Sequence, residues 1–369
     1  MFKYIIKIIL FLTPLLLILV FPFFVYVYGR EFTSLKEAIK LQKGNSSVLF
    51  LPAYDQKVKA FKTLSIASRN PEIIILGSSR VYTFQSSLFK PDIDFYNAGG
   101  IGGFAQDFTD LMIRMPKNSR LKVIIAGIDQ RLVNPTFVTL GERDNKQNPP
   151  EDISLTDRLN NFLAGGWILP YQDYFSGKFS LSQLIRQHRE TQNIGISALI
   201  DEMGFRSDGS LTRGRTLKNP DQIKEVITEK VNNIFTPTMG MYQYNTGISE
   251  EGIKLIEEFL LLAHERDIYI VGFTSPYASE IYDKLLSLNN QYTPTMFEIP
   301  KRLEILFKKY GYHFYGLDDV RSYGSSDDEL IDQDHITEKG AARLLLYVAE
   351  HDKIINRYTD IDQLKNLIR

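Results

Sequence analysis

The chain opens on a long apolar run. From Ile8 to Tyr28 it reads IILFLTPLLLILVFPFFVYVY, a stretch without one charge, and at ~1.5 Å per residue a helix of that length spans a hydrocarbon core of about 30 Å. Further along, short apolar runs alternate with segments of helical period. Pro71 to Leu76 (PEIIIL), Ile93 to Ala98, Leu121 to Ala126 (LKVIIA), Ile268 to Phe273 and His313 to Leu317 predict strands. The first is apolar throughout, as a parallel strand covered on both faces is. Helices are expected near 104–115, 250–266, 279–309 and 338–350, and a helix-compatible segment follows the first strand. Strand, helix, strand in this order predicts an α/β fold, a three-layer doubly wound parallel sheet with right-handed crossovers.

After Asp129 the alternation stops until about residue 245. This stretch carries NPP, GG and an Asp208-Gly209 turn. It is expected to be a large, mostly helical insertion at about 130–245. Its clearest helices are Leu181 to Glu190, capped by Ser180, and Asp221 to Ile234, with Asn219 as N-cap and Pro220 in the first turn. The expected organisation is a cytoplasmic N-terminus (1–7), a transmembrane signal anchor (8–28), a polar stalk (29–70), the α/β domain with its insertion (71–352) and an amphipathic tail (353–369). Lys3 and Lys7 precede the apolar run, whereas Arg30 and Glu31 cancel behind it. The positive-inside bias therefore places the N-terminus in the cytoplasm and the remainder outside, at the cell membrane and facing the periplasm or cell surface. The run is longer than a usual signal-peptide core and VYVYGREF offers no small-residue cleavage site. Pro14 and Pro22 inside it point to a membrane partner, because a lone lipid-facing helix tolerates proline less well than a packed one.

Composition narrows the chemistry. Lys and Arg total 43 against 44 for Asp and Glu, a net charge of -1, which gives no bulk attraction to a polyanion and argues against nucleic-acid binding. Cysteine is absent. That removes a thiol nucleophile, a disulfide scaffold and thiolate-bound metal. Neither a metal nor a cofactor is expected.

Three segments can carry chemistry. Gly77-Ser78-Ser79-Arg80 falls where a buried strand turns, above the carboxyl end of the sheet, where open α/β folds place their ligands; a plain strand-to-helix cap is the alternative. Asp332-Gln333-Asp334-His335 can bring a carboxylate to an imidazole, fixing its tautomer and stabilising its cation. A solvated acidic loop is the competing explanation there. Between them lies Asn97-Ala-Gly-Gly-Ile-Gly-Gly103, whose glycines admit a close backbone approach to a reacting oxygen. The same loop fits a dinucleotide fingerprint, Gly100-x-Gly102-x-x-Ala105, with Asp129 as the ribose acid. Its leading strand is short and half polar, which counts against that assignment.

Taken together and in this order, the segments resemble the SGNH (GDSL-like) hydrolase and acyltransferase superfamily over about 71–350, the insertion excluded. The resemblance implies an SGNH/flavodoxin-like sheet. It aligns Ser79 with the nucleophile, Asp332 and His335 with the other triad members, and the backbone N–H groups of Ser79 and Gly102 with the oxyanion hole. Ser78 stands where Gly-Asp-Ser has aspartate, as in an extracytoplasmic branch resembling proteins of teichoic-acid D-alanylation and exopolysaccharide O-acetylation. Gly127-Ile128-Asp129 replaces the family's Gly-x-Asn. An ionised Asp129 repels an oxyanion where asparagine donates to it, so it must be protonated, paired or turned away. Arg80 is a candidate both for pairing with Asp129 and for substrate binding. The implied activity is serine-dependent acyl-ester chemistry, O-acyltransferase or O-acyl esterase, on a cell-envelope polysaccharide or glycolipid. A membrane-bound O-acyltransferase is the implied partner. The alternative is a non-catalytic glycan-binding or scaffold protein that keeps the fold.

Other residues are expected to be structural or solvated. They are His188, His264, His313 and His351, and the basic residues Arg206, Arg213, Arg215 and Lys218 around the Asp208-Gly209 turn. Trp167, Tyr171, Tyr174 and Phe175 form either a small core or a sugar-stacking surface.

Overall fold

The computed structural model describes residues 18–116, 118–135, 137–138, 154–234, 247–288 and 293–369, together with single positions 4, 13 and 152. The chain divides into two compact units. The larger comprises 58–150, 208–210 and 217–369, and the smaller 1–57, 151–207 and 211–216.

The larger unit is built on five parallel strands, β1 (Ile73–Gly77), β2 (Phe95–Gly99), β3 (Val123–Ile128), β4 (Tyr269–Thr274) and β5 (His313–Tyr315). They lie in the order β2-β1-β3-β4-β5. Because successive side chains of a strand face opposite ways, the all-apolar β1 feeds two cores. Ile73 and Ile75, with Val123 and Ile125, join Ile281, Leu285, Leu345 and Val348 on one face. Ile74 and Leu76, with Ile124 and Ala126, join Phe108, Phe259, Leu260 and Phe307 on the other. Helices α1 (Ala105–Arg114), α2 (Glu250–His264) and α3 (Thr293–Lys309) serve the second face, and α4 (Glu338–His351) the first. Each buried isoleucine contributes about 1.5–3 kcal/mol by leaving water. The α/β class and the parallel sheet expected from the sequence are therefore present, with strand ends displaced by at most two residues. The sheet turns from β2 to β3 around β1, and the crevice between β1 and β3 at their carboxyl ends is the switch point where such sheets bind ligands.

Three expectations change. The segment after β1 is not a helix but two short 3₁₀ turns, Ser79–Val81 and Ser86–Leu88. The Asn97 amide donates to the carbonyls of Val81 and Phe84, both at 2.7 Å, and so takes acceptors a helix would have used. The polar stalk over 29–70 is packed structure instead. Leu35–Gly44 buries Leu35, Ala38 and Ile39 in the smaller unit, and Val58–Arg69 buries Phe61 and Ile66 in the larger. The insertion is likewise divided. Residues 151–207 belong to the smaller unit, whereas Pro220–Asn233 sets Ile223 and Ile227 into the core beside the sheet. Residues 139–150 and 235–246 lie outside the described residues.

No helix among the described residues is long and apolar enough to cross a membrane. The described part of the expected span, 18–28, is helical and packs one side against protein, with Ile18, Val20, Phe23 and Val27 exposed on the other. Val25 is fully buried in a core with Phe179, Leu184, Ile196 and Leu199, and Phe21, Phe24 and Tyr28 pack against it. The hydrophobicity of 18–28 thus serves the smaller unit in part, and residues 8–12 and 14–17 of the expected span lie outside the described residues. The same unit is tied at Glu31, whose buried carboxylate accepts from the backbone N–H groups of Ala53 and Ile196. In the larger unit the tail is packed too, with Ile355 and Leu364 buried beside α4.

Candidate active site

The crevice between β1 and β3 contains the groups singled out in the sequence. β1 ends at Gly77, which lies so close to β3 that a Cβ there would meet the Gly127 carbonyl at 2.9 Å. The chain then turns immediately, with the Ser78 hydroxyl accepting from the Arg80 N–H at 3.3 Å, and Ser79 opens the 3₁₀ turn. Residues 332–335 come from the loop before α4, whose own N-cap is Thr337.

Ser79, His335 and Asp332 are joined in a line. Ser79 Oγ is 2.9 Å from His335 Nε2. His335 Nδ1 is 2.8 Å from one Asp332 oxygen and 3.0 Å from the other. Asp332 also accepts from the backbone N–H groups of Asp334 (3.2 Å) and His335 (2.9 Å), so the loop that carries the imidazole also clamps its carboxylate. A further acid enters, because Asp334 Oδ1 stands 3.1 Å from the same Nδ1. Burial alone would push the imidazole pKa down, but hydrogen bonds and charges from both carboxylates outweigh it and raise it to about 9. Asp332 is held far below the usual carboxylate range: its burial opposes this, and His335 and the two backbone donors prevail.

Arg80 does not reach outward. Its guanidinium is buried and donates to the carbonyls of Asp334 (3.0 Å), Ser275 (3.0 Å) and Pro276 and to Gln130 Oε1 (3.1 Å), with the Tyr277 ring 4.4 Å away. It is a brace across the loops after β1, β3 and β4 and the loop bearing His335, which replaces the expected substrate contact. The expected pairing with Asp129 is present at 3.7 Å, and Arg131 Nη2 meets the other Asp129 oxygen at 3.2 Å. Asp129 is buried, which would raise its pKa, yet the two guanidinium charges hold it below the ordinary range. It is an ionised acceptor with no hydrogen to offer an oxyanion.

Gly102 is not available as a donor either. Its N–H donates to the Gly77 carbonyl at 2.9 Å, as does that of Gly100. A Cβ at Gly102 would meet the Phe108 ring at 2.7 Å, so the glycine lets the loop pack on α1. The dinucleotide assignment fails on the same ground, and its acid, Asp129, is engaged by arginines. The Ser79 N–H meets no acceptor among the described residues. A small pocket is lined by Ser79, Arg80, Asp129, Arg131, Tyr277, Asp334 and His335. Arg131 is partly exposed there, and its Nε has no hydrogen-bond partner among the described residues.

Asp332, Asp334 and His335 are the one grouping of metal-ligand type among the described residues. The hydrogen bonds of Asp332 to the imidazole and the ion-pair approach of Asp334 already account for the grouping. Sequence reasoning missed Asp334, Gln130 and Arg131. Asp334 lies inside the Asp332–His335 motif, and the alternation of acids before the histidine was the available signal; nothing in the sequence marked the other two. Of the remaining histidines, His188 Nδ1 lies 2.9 Å from the Tyr28 carbonyl, His313 Nδ1 lies 2.8 Å from Asp352 and His351 Nδ1 lies 2.7 Å from the Tyr347 carbonyl. Compared with family models, with curated proteins and with solved structures, the chain matches none.

Proposed function

We propose that this chain performs serine-dependent acyl-ester chemistry, as an O-acyltransferase or O-acyl esterase of the SGNH type, on a cell-envelope polysaccharide or glycolipid outside the cytoplasmic membrane. The observation that carries the proposal is the Ser79–His335–Asp332 line, set at the switch point of a parallel sheet. Neutral His335 Nε2 takes the Ser79 proton as Oγ bonds to the ester carbonyl carbon. The resulting imidazolium gives that proton to the departing alcohol oxygen, leaving an acyl-serine. In the second half, water or a sugar hydroxyl gives its proton to His335 and bonds to the acyl carbon, and Ser79 Oγ recovers a proton as it leaves. Asp332 and Asp334 stabilise the imidazolium at each stage. The Ser79 N–H and the Arg131 guanidinium are the donors left to the carbonyl oxygen, since Gly102 and Arg80 are committed and Asp129 has no proton. The apolar N-terminal run supports tethering at the membrane, with a membrane-bound O-acyltransferase as acyl donor and water or the glycan as acceptor.

The occupied Gly102 N–H and the ionised Asp129 favour a second reading, a scaffold or glycan-binding protein without catalysis. The two part on hydrolysis of an aryl acetate. Ser79→Ala and His335→Ala should each remove most turnover, and the double variant should be scarcely slower than either, because the two act as one unit. Folded wild-type protein that does not turn the ester over would favour the second reading, and additive losses or turnover that survives Ser79→Ala would remove Ser79 and His335 from a shared proton transfer.

A further inference from the structure

The smaller unit exposes much more apolar surface than its size warrants. Eleven of the sixteen large hydrophobic side chains that are exposed among the described residues belong to it. They concentrate on two elements. One is the helix over 18–28, where Ile18 and Phe23 are 45% and 48% exposed; the other is Leu155–Leu163 with Leu169–Phe175, where Leu163 and Phe175 are 59% and 79% exposed. A monomer seldom leaves such side chains clustered in water.

These elements are packed on each other. The Tyr171 hydroxyl donates to the Ile18 carbonyl at 2.7 Å, Phe21 lies 4.8 Å from the Tyr171 ring, and Phe23 and Tyr26 meet Phe162 at 6.3 and 4.9 Å. Whatever holds 18–28 therefore also holds 155–175. The 17 residues that lead into Ile18 are apolar apart from Tyr4, Thr13 and the charged Lys3 and Lys7. At ~1.5 Å per residue, a span ending at Tyr28 would use 18–28 for about half of a 30 Å hydrocarbon layer. The helices fixed to that half would then meet the acyl chains and headgroups with their exposed Leu, Ile and Phe side chains.

We infer that 155–175 is a membrane-interface collar, which lies in the outer leaflet around the C-terminal half of the anchor and contacts lipid directly. This rests on the proposed insertion of the N-terminal run. It explains two observations together: why 18–28 is half buried in protein and why its protein neighbours remain apolar on their outer side. A helical element lying in the interface binds through such a face. The aromatic side chains Trp167, Tyr171 and Tyr174 suit the headgroup level, where rings with one polar edge concentrate.

The chain has a single tryptophan, Trp167, inside the collar and partly exposed. The full chain is reconstituted into phosphatidylcholine–phosphatidylglycerol vesicles, with and without dibrominated phosphatidylcholine, and vesicle flotation is measured beside Trp167 emission. The expected result is flotation with the vesicles, blue-shifted emission and strong quenching by the brominated lipid. Leu169→Asp with Phe175→Asp should weaken the quenching and shift emission to the red while flotation persists through the anchor. Flotation with Trp167 emission indifferent to bromine would overturn the collar and leave the anchor standing, its apolar face then being a protein-binding one. Failure to float would overturn both.

Discussion

The imidazole of His335 has three carboxylate oxygens within 3.1 Å of Nδ1, two from Asp332 and one from Asp334. At neutral pH this stabilises the protonated ring, which cannot take a proton from Ser79. With the pKa raised to about 9, turnover on an aryl acetate should climb with pH and level off near that value. The stability arithmetic has the opposite sense: a pKa above that of the unfolded chain adds stability that is full below about pH 6.5 and lost as pH rises through about 9. Asp334→Asn should move the activity limb to lower pH while leaving Asp332 to hold the tautomer. Asp332→Asn should cost orders of magnitude in rate. Identical pH profiles for wild type and Asp334→Asn would show that Asp334 does not act on the ring. Arg131 makes a separate prediction. If it donates to the carbonyl oxygen in the transition state, Arg131→Gln should lower kcat about 10²-fold with little change in KM. A change in KM alone would reassign it to substrate binding.

At the scale of elements, Asn97 shows how a motif residue serves the architecture before the chemistry. Its fully buried side chain donates to Val81 and Phe84 and accepts from the Gly99 N–H at 2.8 Å, fastening the end of β2 to the turn that presents Ser79. Asn97→Ala would strand three buried backbone groups and should destabilise the larger unit by about 3 kcal/mol, seen as a lower urea midpoint. An unchanged midpoint would mean that water replaces the amide without cost. The strands were legible because runs such as IIIL and VIIA bury both faces of a parallel sheet, a pattern carried by the residues alone. The line from Ser79 to His335 was legible in type and order. What stayed hidden depends on contacts between distant segments. The Gly102 N–H turns to Gly77, Arg80 braces four loops rather than facing substrate, and the acid of Asp129 is matched by the guanidinium two residues later. The packing of one side of 18–28 stayed hidden for a related reason, since hydropathy does not distinguish a helix face buried in lipid from one buried in its own protein.

For the whole molecule, the Ser79–His335–Asp332 line lies in the larger unit, and the large exposed apolar side chains among the described residues are concentrated in the smaller one. An enzyme arranged in this way would hold its ester chemistry on one folded body and its membrane contact on another, which suits a substrate anchored at or assembled on the membrane. That arrangement has meaning only if Ser79 is a nucleophile. The most direct measurement is therefore covalent trapping: the full chain is treated with a fluorophosphonate at pH 8 to 9 and the modified peptide is identified by mass spectrometry. A single adduct on Ser79 is expected, abolished in Ser79→Ala and greatly slowed in His335→Ala. An unmodified Ser79 in folded protein, or labelling as fast without His335 as with it, would contradict it.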